Sequence, residues 1–191
     1  FSGFDPRPAR PLRRLRHDGH MELQADRLLL REYTLDDFAA VHSFASDLRI
    51  AEYVDWGPNT TGETLEFLKM CSAAQRGSNR TNFTLAVTFP RGEPFGSVGL
   101  GIDRGRGELG YVIDADHWGR GYATEAAAAL LRFGQGTLKL QDITATCRPE
   151  NTASARVLEK IGLVPVGVRR ADKLIRGQWQ DSLVFSSVST T

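Results

Sequence analysis

Short apolar runs, bounded by Pro, Gly and helix-start signals, divide the chain into strands and helices. Residues 27–33 predict a first strand. Thr34 followed by Asp37 predicts the start of a helix, because a threonine side chain and an acidic residue three positions later satisfy the free amides there. A second helix is predicted to begin near residues 60–63, where another threonine precedes a glutamate.

From residue 84 the pattern becomes strand-like, with apolar runs separated by Pro and Gly turns. These runs predict an antiparallel meander over residues 84–89, 95–100 and 108–113. After the meander we predict a helix over residues 123–133, a strand over 143–147, a helix over 152–161 and two final strands. This order is typical of a mixed α/β (α+β) domain.

The composition fits one ordinary globular domain, which we assign to residues 21–191. Residues 1–20 hold five Arg and two Asp, so the basic character of the chain is local. They contain no apolar run of the kind a signal peptide needs, and we expect them to be mostly disordered. Two interpretations of this leader remain open: a tag remnant ending at Gly19-His20-Met21, or a basic arm that contacts RNA or the ribosome.

The two cysteines, Cys71 and Cys147, are interpreted as small core residues in a reduced, cytoplasmic protein, since neither lies in a CxxC motif. No stretch approaches the roughly 20 apolar residues of a membrane helix. His42 and His117 have no partner at metal-ligand spacing, so no metal site is expected.

A glycine-rich turn leads into the helix predicted over residues 123–133 and suggests an anion site. Gly119 and Gly121 precede a run of alanines, after a strand that ends near Ile113. The first amides of a helix lack intrahelical partners and carry a partial positive charge, so they can bind a phosphate through the backbone alone. Glycines let the backbone approach the anion, and Arg120 adds positive charge.

Two other phosphate motifs do not fit the sequence. A GxxxxGK[ST] loop is absent, which excludes a P-loop nucleotidase. Residues 105–110 match GxGxxG but precede a strand instead of opening a helix, so we interpret them as a hairpin turn.

The turn resembles the cofactor motif of the GNAT acetyltransferases, Q/R-x-x-G-x-G/A, in the form Trp118-Gly119-Arg120-Gly121-Tyr122-Ala123. Trp118 replaces the usual Gln or Arg, as in the ribosomal-protein N-acetyltransferase (RimJ/RimL-like) branch, which residues 118–126 resemble throughout. The resemblance spans nearly all of residues 25–186. It implies a GNAT fold, with a central mixed, mostly antiparallel, twisted sheet of about seven strands flanked by helices.

A second motif, residues 151–163, resembles N-x-x-S-x-[RK]-V-L-E-K-x-G-F of the same family. From the residues alone, Asn151 or Thr152 can cap a helix that Gly162 ends. The resemblance implies in addition that Asn151 and Ser154 bind the pantetheine arm of acetyl-CoA and that Arg156 lies near the cofactor.

The resemblance also implies which residues meet acetyl-CoA in the first motif. Its diphosphate would bind at the turn, and backbone amides of the preceding strand would orient the acetyl carbonyl. The residues so predicted are Tyr111, Val112, Ile113, Trp118, Gly119, Arg120, Gly121, Tyr122, Ala123 and Thr124.

In this superfamily the acceptor amine attacks the thioester directly within a ternary complex. Glu108 is our candidate to accept the amine's proton; the alternative is a solvated carboxylate beside Arg104 or Arg106. The tyrosine that many GNAT enzymes use as general acid corresponds to Leu158, which has no proton to give. Ser154 is therefore the candidate acid, and its alternative role is a helix-start hydroxyl.

The acceptor is predicted to be a primary amine, first of all the α-amine of a protein N-terminus. Small amines such as aminoglycosides or polyamines are the alternative, as is a non-catalytic acyl-CoA-binding module. A homodimer is also compatible with this branch. Four aromatic residues are candidates for an acceptor cleft or, more simply, for the core: Tyr33, Tyr53, Trp56 and Trp179.

Overall fold

The computed structural model describes residues 14–17, 20–76 and 79–188. The helices and strands of these parts are β1 (Arg14–His17), β2 (His20–Gln24), β3 (Leu29–Glu32), α1 (Phe38–Ala45), α2 (Leu48–Ala51), α3 (Thr61–Gln75), β4 (Asn82–Thr88), β5 (Gly96–Asp103), β6 (Arg106–Ile113), α4 (Tyr122–Gly136), β7 (Asp142–Cys147), α5 (Thr152–Lys160), β8 (Val164–Ile175) and β9 (Gln178–Ser186).

All the strands form one sheet, in the order β1-β2-β3-β4-β5-β6-β7-β9-β8. Every neighbouring pair is antiparallel except β6 and β7, which are parallel. The predicted mixed, mostly antiparallel sheet is confirmed. The seven predicted strands correspond to β3 to β9, and the described residues add β1 and β2 to the same sheet. The predicted hairpin turn also occurs, since Arg104 and Gly105 connect β5 to β6 with positive φ angles of 46° and 78°.

The expectation of disorder up to residue 20 is wrong for part of the leader. Arg14–His17 forms β1, which pairs with β2 in antiparallel register, and β2 itself begins at His20. Composition suggested disorder, but backbone pairing with β2 supplies hydrogen bonds that composition does not reveal. Residues 1–13, 18 and 19 lie outside the described residues.

The parallel pair β6–β7 opens along its length. Residues 106–109 pair with residues 142–145, and beyond this point β7 pairs only with β9. The edge of β6 from Gly110 to Ile113 therefore has no partner strand on the β7 side. We call the gap between residues 110–113 and residues 146–147 the splay.

Helices cover the two faces of the sheet unequally. On one face, here the α4 face, α4 and α5 pack on an apolar core that includes Leu100, Leu130 and Phe133. On the other, the α1 face, helices α1 to α3 cover a smaller core around Tyr33 and Leu68. The smaller cover leaves part of the α1 face of β4 to β7 open beside the splay.

Candidate active site

The turn between β6 and α4 presents unpaired amides, as its glycines predicted. Gly119 and Gly121 have φ of 75° and 79°, and Gly121 is the N-terminal cap of α4. The helix ladder begins with the bond from Glu125 N–H to the Gly121 carbonyl oxygen. The amides of Tyr122, Ala123 and Thr124 consequently have no partner within the ladder, and the cap has no side chain to satisfy them.

Arg27 braces this turn from outside. Its guanidinium donates two hydrogen bonds to the Arg120 carbonyl oxygen, both 3.2 Å, and lies 4.6 Å from the Tyr122 ring centroid. Its Nε also donates to Glu125 at 2.8 Å. Glu125 further accepts from the backbone amides of Arg27 and Leu28, which ties the loop before β3 to the first turn of α4. Sequence reasoning missed this brace because its two parts are 98 residues apart.

Trp118 fixes the start of the turn to the end of β6. Its indole N–H donates to the Ile113 carbonyl oxygen at 2.7 Å, on the strand that borders the splay. The indole is partly exposed and makes an edge contact with Tyr53, with ring centroids 5.9 Å apart. The tryptophan that departs from the family pattern thus has a positioning contact of its own.

The second motif opens α5. Asn151 is the N-terminal cap, and its Oδ1 accepts from the Ser154 amide at 2.9 Å, so the predicted capping role is confirmed. Arg156 is exposed, whereas Leu158 is buried in the α4-face core. Gly162, with φ of 92°, follows the end of α5 as predicted.

A pair of hydroxyl groups lies on the α4 face next to the splay. Tyr111 Oη is 2.8 Å from Ser154 Oγ, and either oxygen can be the donor. Tyr111 Oη can also donate to the Ser154 carbonyl oxygen, at 3.2 Å. Burial raises the pKa of Tyr111 to about 12, which the bond with Ser154 only partly offsets, so this phenol is protonated at neutral pH. Burial likewise raises the pKa of the Cys147 thiol, against a hydrogen bond with Ser154. Both cysteines are buried, which confirms their interpretation as core residues.

Glu108 lies on the opposite, α1 face of β6. It is exposed, and its carboxylate makes no hydrogen bond or ion pair with any residue that the structure describes, Arg104 and Arg106 included. Gly101 is its cross-strand partner, and Gly99 pairs with Gly110 one step along. A groove of about 340 Å³ follows this face and is lined by Asn82, Gly99, Leu100, Gly101, Glu108, Leu109, Gly110, Thr146 and Lys173.

The loop after α2, residues 52–57, borders this groove. Asp55 forms an ion pair of 2.7 Å with Lys173, which lines the groove, and the Glu52 carbonyl oxygen accepts from Arg148 just after β7. Tyr53 reaches Trp118, as described above. The loop therefore spans from the cofactor-motif turn to β8 on the α1 face.

Of the four candidate aromatics, only Tyr33 lies in the core, at 1% exposure. Tyr53, Trp56 and Trp179 are 37%, 38% and 64% exposed, so the core interpretation is wrong for them. Tyr53 and Trp56 lie in the loop after α2, and Trp179 lies near the start of β9.

The described residues contain no group of three or more His, Cys, Asp and Glu side chains placed to hold a metal ion. Across the described ranges, helices also fall short of the length and apolarity needed to span a membrane. His42 bonds Thr64, with a 3.0 Å contact to its hydroxyl, and His117 stacks on Phe95.

Comparison with known proteins agrees with this geometry. Residues 27–164 match the profile of the acetyltransferase (GNAT) domain. The chain is 30% identical to the uncharacterized N-acetyltransferase YnaD of Bacillus subtilis, over 87% of this chain and 96% of that one. It is also similar to a GNAT-family acetyltransferase structure from Bacillus anthracis, with 31% identity, a TM-score of 0.77 and coverage of 87% and 97%.

Two further likenesses are narrower. Over 76 residues, 40% of this chain and 39% of the relative, the sequence is 34% identical to the [ribosomal protein uS5]-alanine N-acetyltransferase of Escherichia coli. Mycobacterium smegmatis RimJ in complex with CoA-disulfide shares the fold, with a TM-score of 0.73 at 23% identity over 83% of this chain and 80% of that one. Because the domain profile covers well over half of the chain, this protein belongs to the GNAT family of acetyltransferases.

Proposed function

We propose that this enzyme transfers the acetyl group of acetyl-CoA to the α-amine of a protein N-terminus, by direct attack within a ternary complex. The observation that carries the proposal is the position of Glu108. Its carboxylate has no partner among the described residues and lines an open groove beside the splay, on the face of β6 opposite the Tyr111 and Ser154 hydroxyls. An amine can lose its proton on one face while the thiolate leaves on the other.

The donor binds along the α4 face in this proposal. Backbone amides of Gly119 to Thr124 hold the diphosphate, with added charge from Arg120, because free helix amides and glycines at positive φ suit a closely approaching anion. Asn151, Ser154 and Arg156 contact the pantetheine arm at the start of α5. The open edge of Tyr111, Val112 and Ile113 orients the acetyl group, and Trp118 keeps its position through the Ile113 carbonyl.

The exposure of Glu108 favours an α-amine over a lysine side chain as acceptor. At pH 7, removing the proton from a lysine amine costs roughly 4.6 kcal/mol, whereas an α-amine costs only about 1 kcal/mol. An exposed carboxylate is a weak base, so an acceptor that deprotonates easily suits it. The partial likeness to the uS5-alanine enzyme points to the same acceptor class.

The shape of the groove is also compatible with a peptide. Its floor includes three glycines, and a Cβ added at Gly101 or Gly110 would meet nothing within 4 Å. A slim, extended chain can therefore lie close to the sheet, with its terminal amine at Glu108.

An acceptor panel tests this proposal. Release of CoA thiol is followed with acetyl-CoA and, in separate reactions, peptides with free α-amines, the same peptides with blocked termini, polyamines and aminoglycosides. We expect turnover with free-terminus peptides that disappears when the terminus is blocked. Turnover confined to polyamines or aminoglycosides would contradict the protein acceptor and show that the acceptor is a small amine.

Calorimetric titration with CoA separates catalysis from binding. Tight CoA binding without turnover on any acceptor would contradict the proposed acetyl transfer and indicate an acyl-CoA-binding module. The matched control is Glu108→Gln, which should bind CoA like the original protein and lose turnover, because Glu108 faces the acceptor groove.

A further inference from the structure

The hydroxyl groups of Tyr111 and Ser154 on the α4 face suggest how the leaving thiolate is stabilised. We propose that Tyr111 positions Ser154 by donating its phenol hydrogen to Ser154 Oγ, so that the Ser154 hydroxyl donates its own hydrogen bond to the sulfur that leaves. This inference rests on the proposed function, since it concerns the same transfer from a thioester.

The geometry favours one arrangement of the two hydrogens. Tyr111 Oη can donate to Ser154 Oγ at 2.8 Å or to the Ser154 carbonyl oxygen at 3.2 Å. The shorter contact has the usual length for O–H···O, and the longer one exceeds it. When Tyr111 donates to Oγ, the serine proton is free to turn toward another acceptor.

The position of this serine beside the splay follows from its contact with Tyr111. Tyr111 lies on β6 within residues 110–113, which lack a partner strand on the β7 side, and its Oη is 2.8 Å from Ser154 Oγ. The Ser154 side chain also influences the buried thiol of Cys147 at the end of β7, where it partly offsets the rise in pKa that burial causes. A thioester placed in the splay would meet the same hydroxyl.

The chemistry is hydrogen bonding and not complete proton transfer. As the acceptor nitrogen bonds to the acetyl carbon, the carbon–sulfur bond breaks and its electron pair goes to sulfur. A thiol has a pKa of about 8.5, so moving a proton from a phenol of pKa about 12 to the thiolate is unfavourable by more than about 10³. The pair stabilises the developing thiolate, which takes its final proton from solvent, while the proton of the amine leaves through Glu108.

Tyr111 is thus a positioning residue, and leaving-group dependence is its signature. Tyr111→Phe keeps the ring and removes the donor. We expect kcat/KM with S-acetyl-N-acetylcysteamine, an alkyl thioester, to fall about fivefold to tenfold, the effect of one hydrogen bond. With S-acetyl-4-nitrothiophenol, whose thiol leaves readily without help, the loss should be less than about twofold.

A double-mutant cycle tests the route through serine. Ser154→Ala should cost at least as much as Tyr111→Phe, and adding Tyr111→Phe to Ser154→Ala should change the rate by less than about twofold. Tyr33→Phe is the matched control, because it also removes a buried tyrosine hydroxyl. Tyr33 lies in the core of the α1 face, where its hydroxyl donates to the Gly96 carbonyl oxygen. It should leave the ratio between the two donors unchanged.

The outcomes separate this inference from the proposed function. If the original protein turns over both thioesters, two results would overturn the role of Tyr111. One is an equal loss of kcat/KM in Tyr111→Phe on both thioesters, and the other is a loss in the double variant equal to the product of the two single losses. Absence of turnover by the original protein on both donors and on acetyl-CoA would instead overturn the proposed function.

Discussion

Glu108 and Tyr111 lie on opposite faces of β6, because successive side chains of a strand point to opposite sides, and Ser154 of α5 meets Tyr111 on its face. In our proposal this alternation separates deprotonation of the amine from stabilisation of the leaving thiolate across the thickness of the sheet. The proposed path of the amine is from the open α1 face, and that of the sulfur is on the α4 face. β6 thereby carries Glu108 and Tyr111, and α5 supplies Ser154.

Glu108→Gln should lower kcat/KM for a free-terminus peptide by about 10²-fold to 10³-fold at pH 7, the range of a lost general base. The loss should shrink as the pH rises through about 8, because a growing share of the α-amine is then neutral without help. A pH series of initial rates measures both effects.

Glu66→Gln serves as its control, since this exposed glutamate of α3 forms an ion pair with Lys69, far along the chain from the proposed site. A pH-independent loss in Glu108→Gln, or an equal loss in Glu66→Gln, would contradict the base assignment.

Asp37 offers a prediction on stability. Burial alone would raise the pKa of its carboxyl, but hydrogen bonds from Arg31 and Thr34 outweigh burial and hold the pKa below its usual value. A depressed pKa in the folded state gives stability that is present above the unfolded value near 3.9 and lost as the pH falls through the folded value. Asp37→Asn should lower the unfolding free energy by about 2 kcal/mol at pH 7.

Urea denaturation at pH 7 and at pH 3 measures this effect. The deficit of Asp37→Asn should be smaller at the acid pH, because the original carboxylate is then being protonated. An unchanged deficit at both values would show that the ion pair with Arg31 does not link stability to pH.

At the residue scale, local roles could be predicted and distant partners could not. Asn151 as a cap and Gly162 as a helix end follow from neighbouring residues, and both are confirmed. The pairing of Tyr111 with Ser154 joins residues 43 apart, so only the fold brings them together. The sequence suggested Ser154 as a candidate acid but gave no signal for its hydroxyl partner.

At the scale of elements, the turn before α4 depends on backbone conformations that favour glycine. Gly121 has φ of 79°, a region that costs other L-residues roughly 1–2 kcal/mol. Gly121→Ala should therefore destabilise the protein by that amount and weaken CoA binding, because the amides of the first helical turn would shift. Calorimetric titration of CoA measures the affinity.

Gly136→Ala at the other end of α4 is the matched control. Its φ is not in the left-handed region, and an added Cβ meets nothing within 4 Å. Alanine there should stabilise the protein by about 0.5–1 kcal/mol and leave CoA affinity unchanged. Equal CoA affinity in both variants would argue against diphosphate binding at this turn.

The strand pair β5–β6 carries a prediction about the acceptor. Gly110 lines the groove, and a Cβ added there would meet nothing within 4 Å, so we expect Gly110→Val to fold normally. We expect KM for peptide acceptors to rise about tenfold, the effect of about 1.4 kcal/mol of lost contact, with KM for acetyl-CoA unchanged. A rise confined to acetyl-CoA would place the donor on the α1 face.

Elements with clear caps were the easiest to predict. The α3 capping box of Thr60 and Glu63 is confirmed, and so is the helix start at Thr34, which caps a 3₁₀ turn over Leu35–Asp37 directly before α1. β1 was missed because Arg14–His17 lacks the apolar alternation of a strand and depends on β2 for its pairing. The opening between β6 and β7 arises from pairing across the sheet, which a single sequence does not encode locally.

At the scale of the whole molecule, the sheet separates two differently covered faces, and in our proposal the donor binds on one and the acceptor on the other. α4 and α5 cover the α4 face and present their N-termini near the splay, while α1 to α3 leave a groove on the other face. Fold and family followed from the two motifs. The acceptor did not, because its groove is built from β4 to β8 and the loop of residues 52–57, which lie far apart in the chain.

A crystal structure with CoA tests the central claim most directly. We predict the diphosphate within hydrogen-bonding distance of the backbone amides of residues 119–124, and the sulfur in the splay with Ser154 Oγ as its nearest hydroxyl. CoA bound away from the start of α4, or a sulfur that does not enter the splay, would contradict the account.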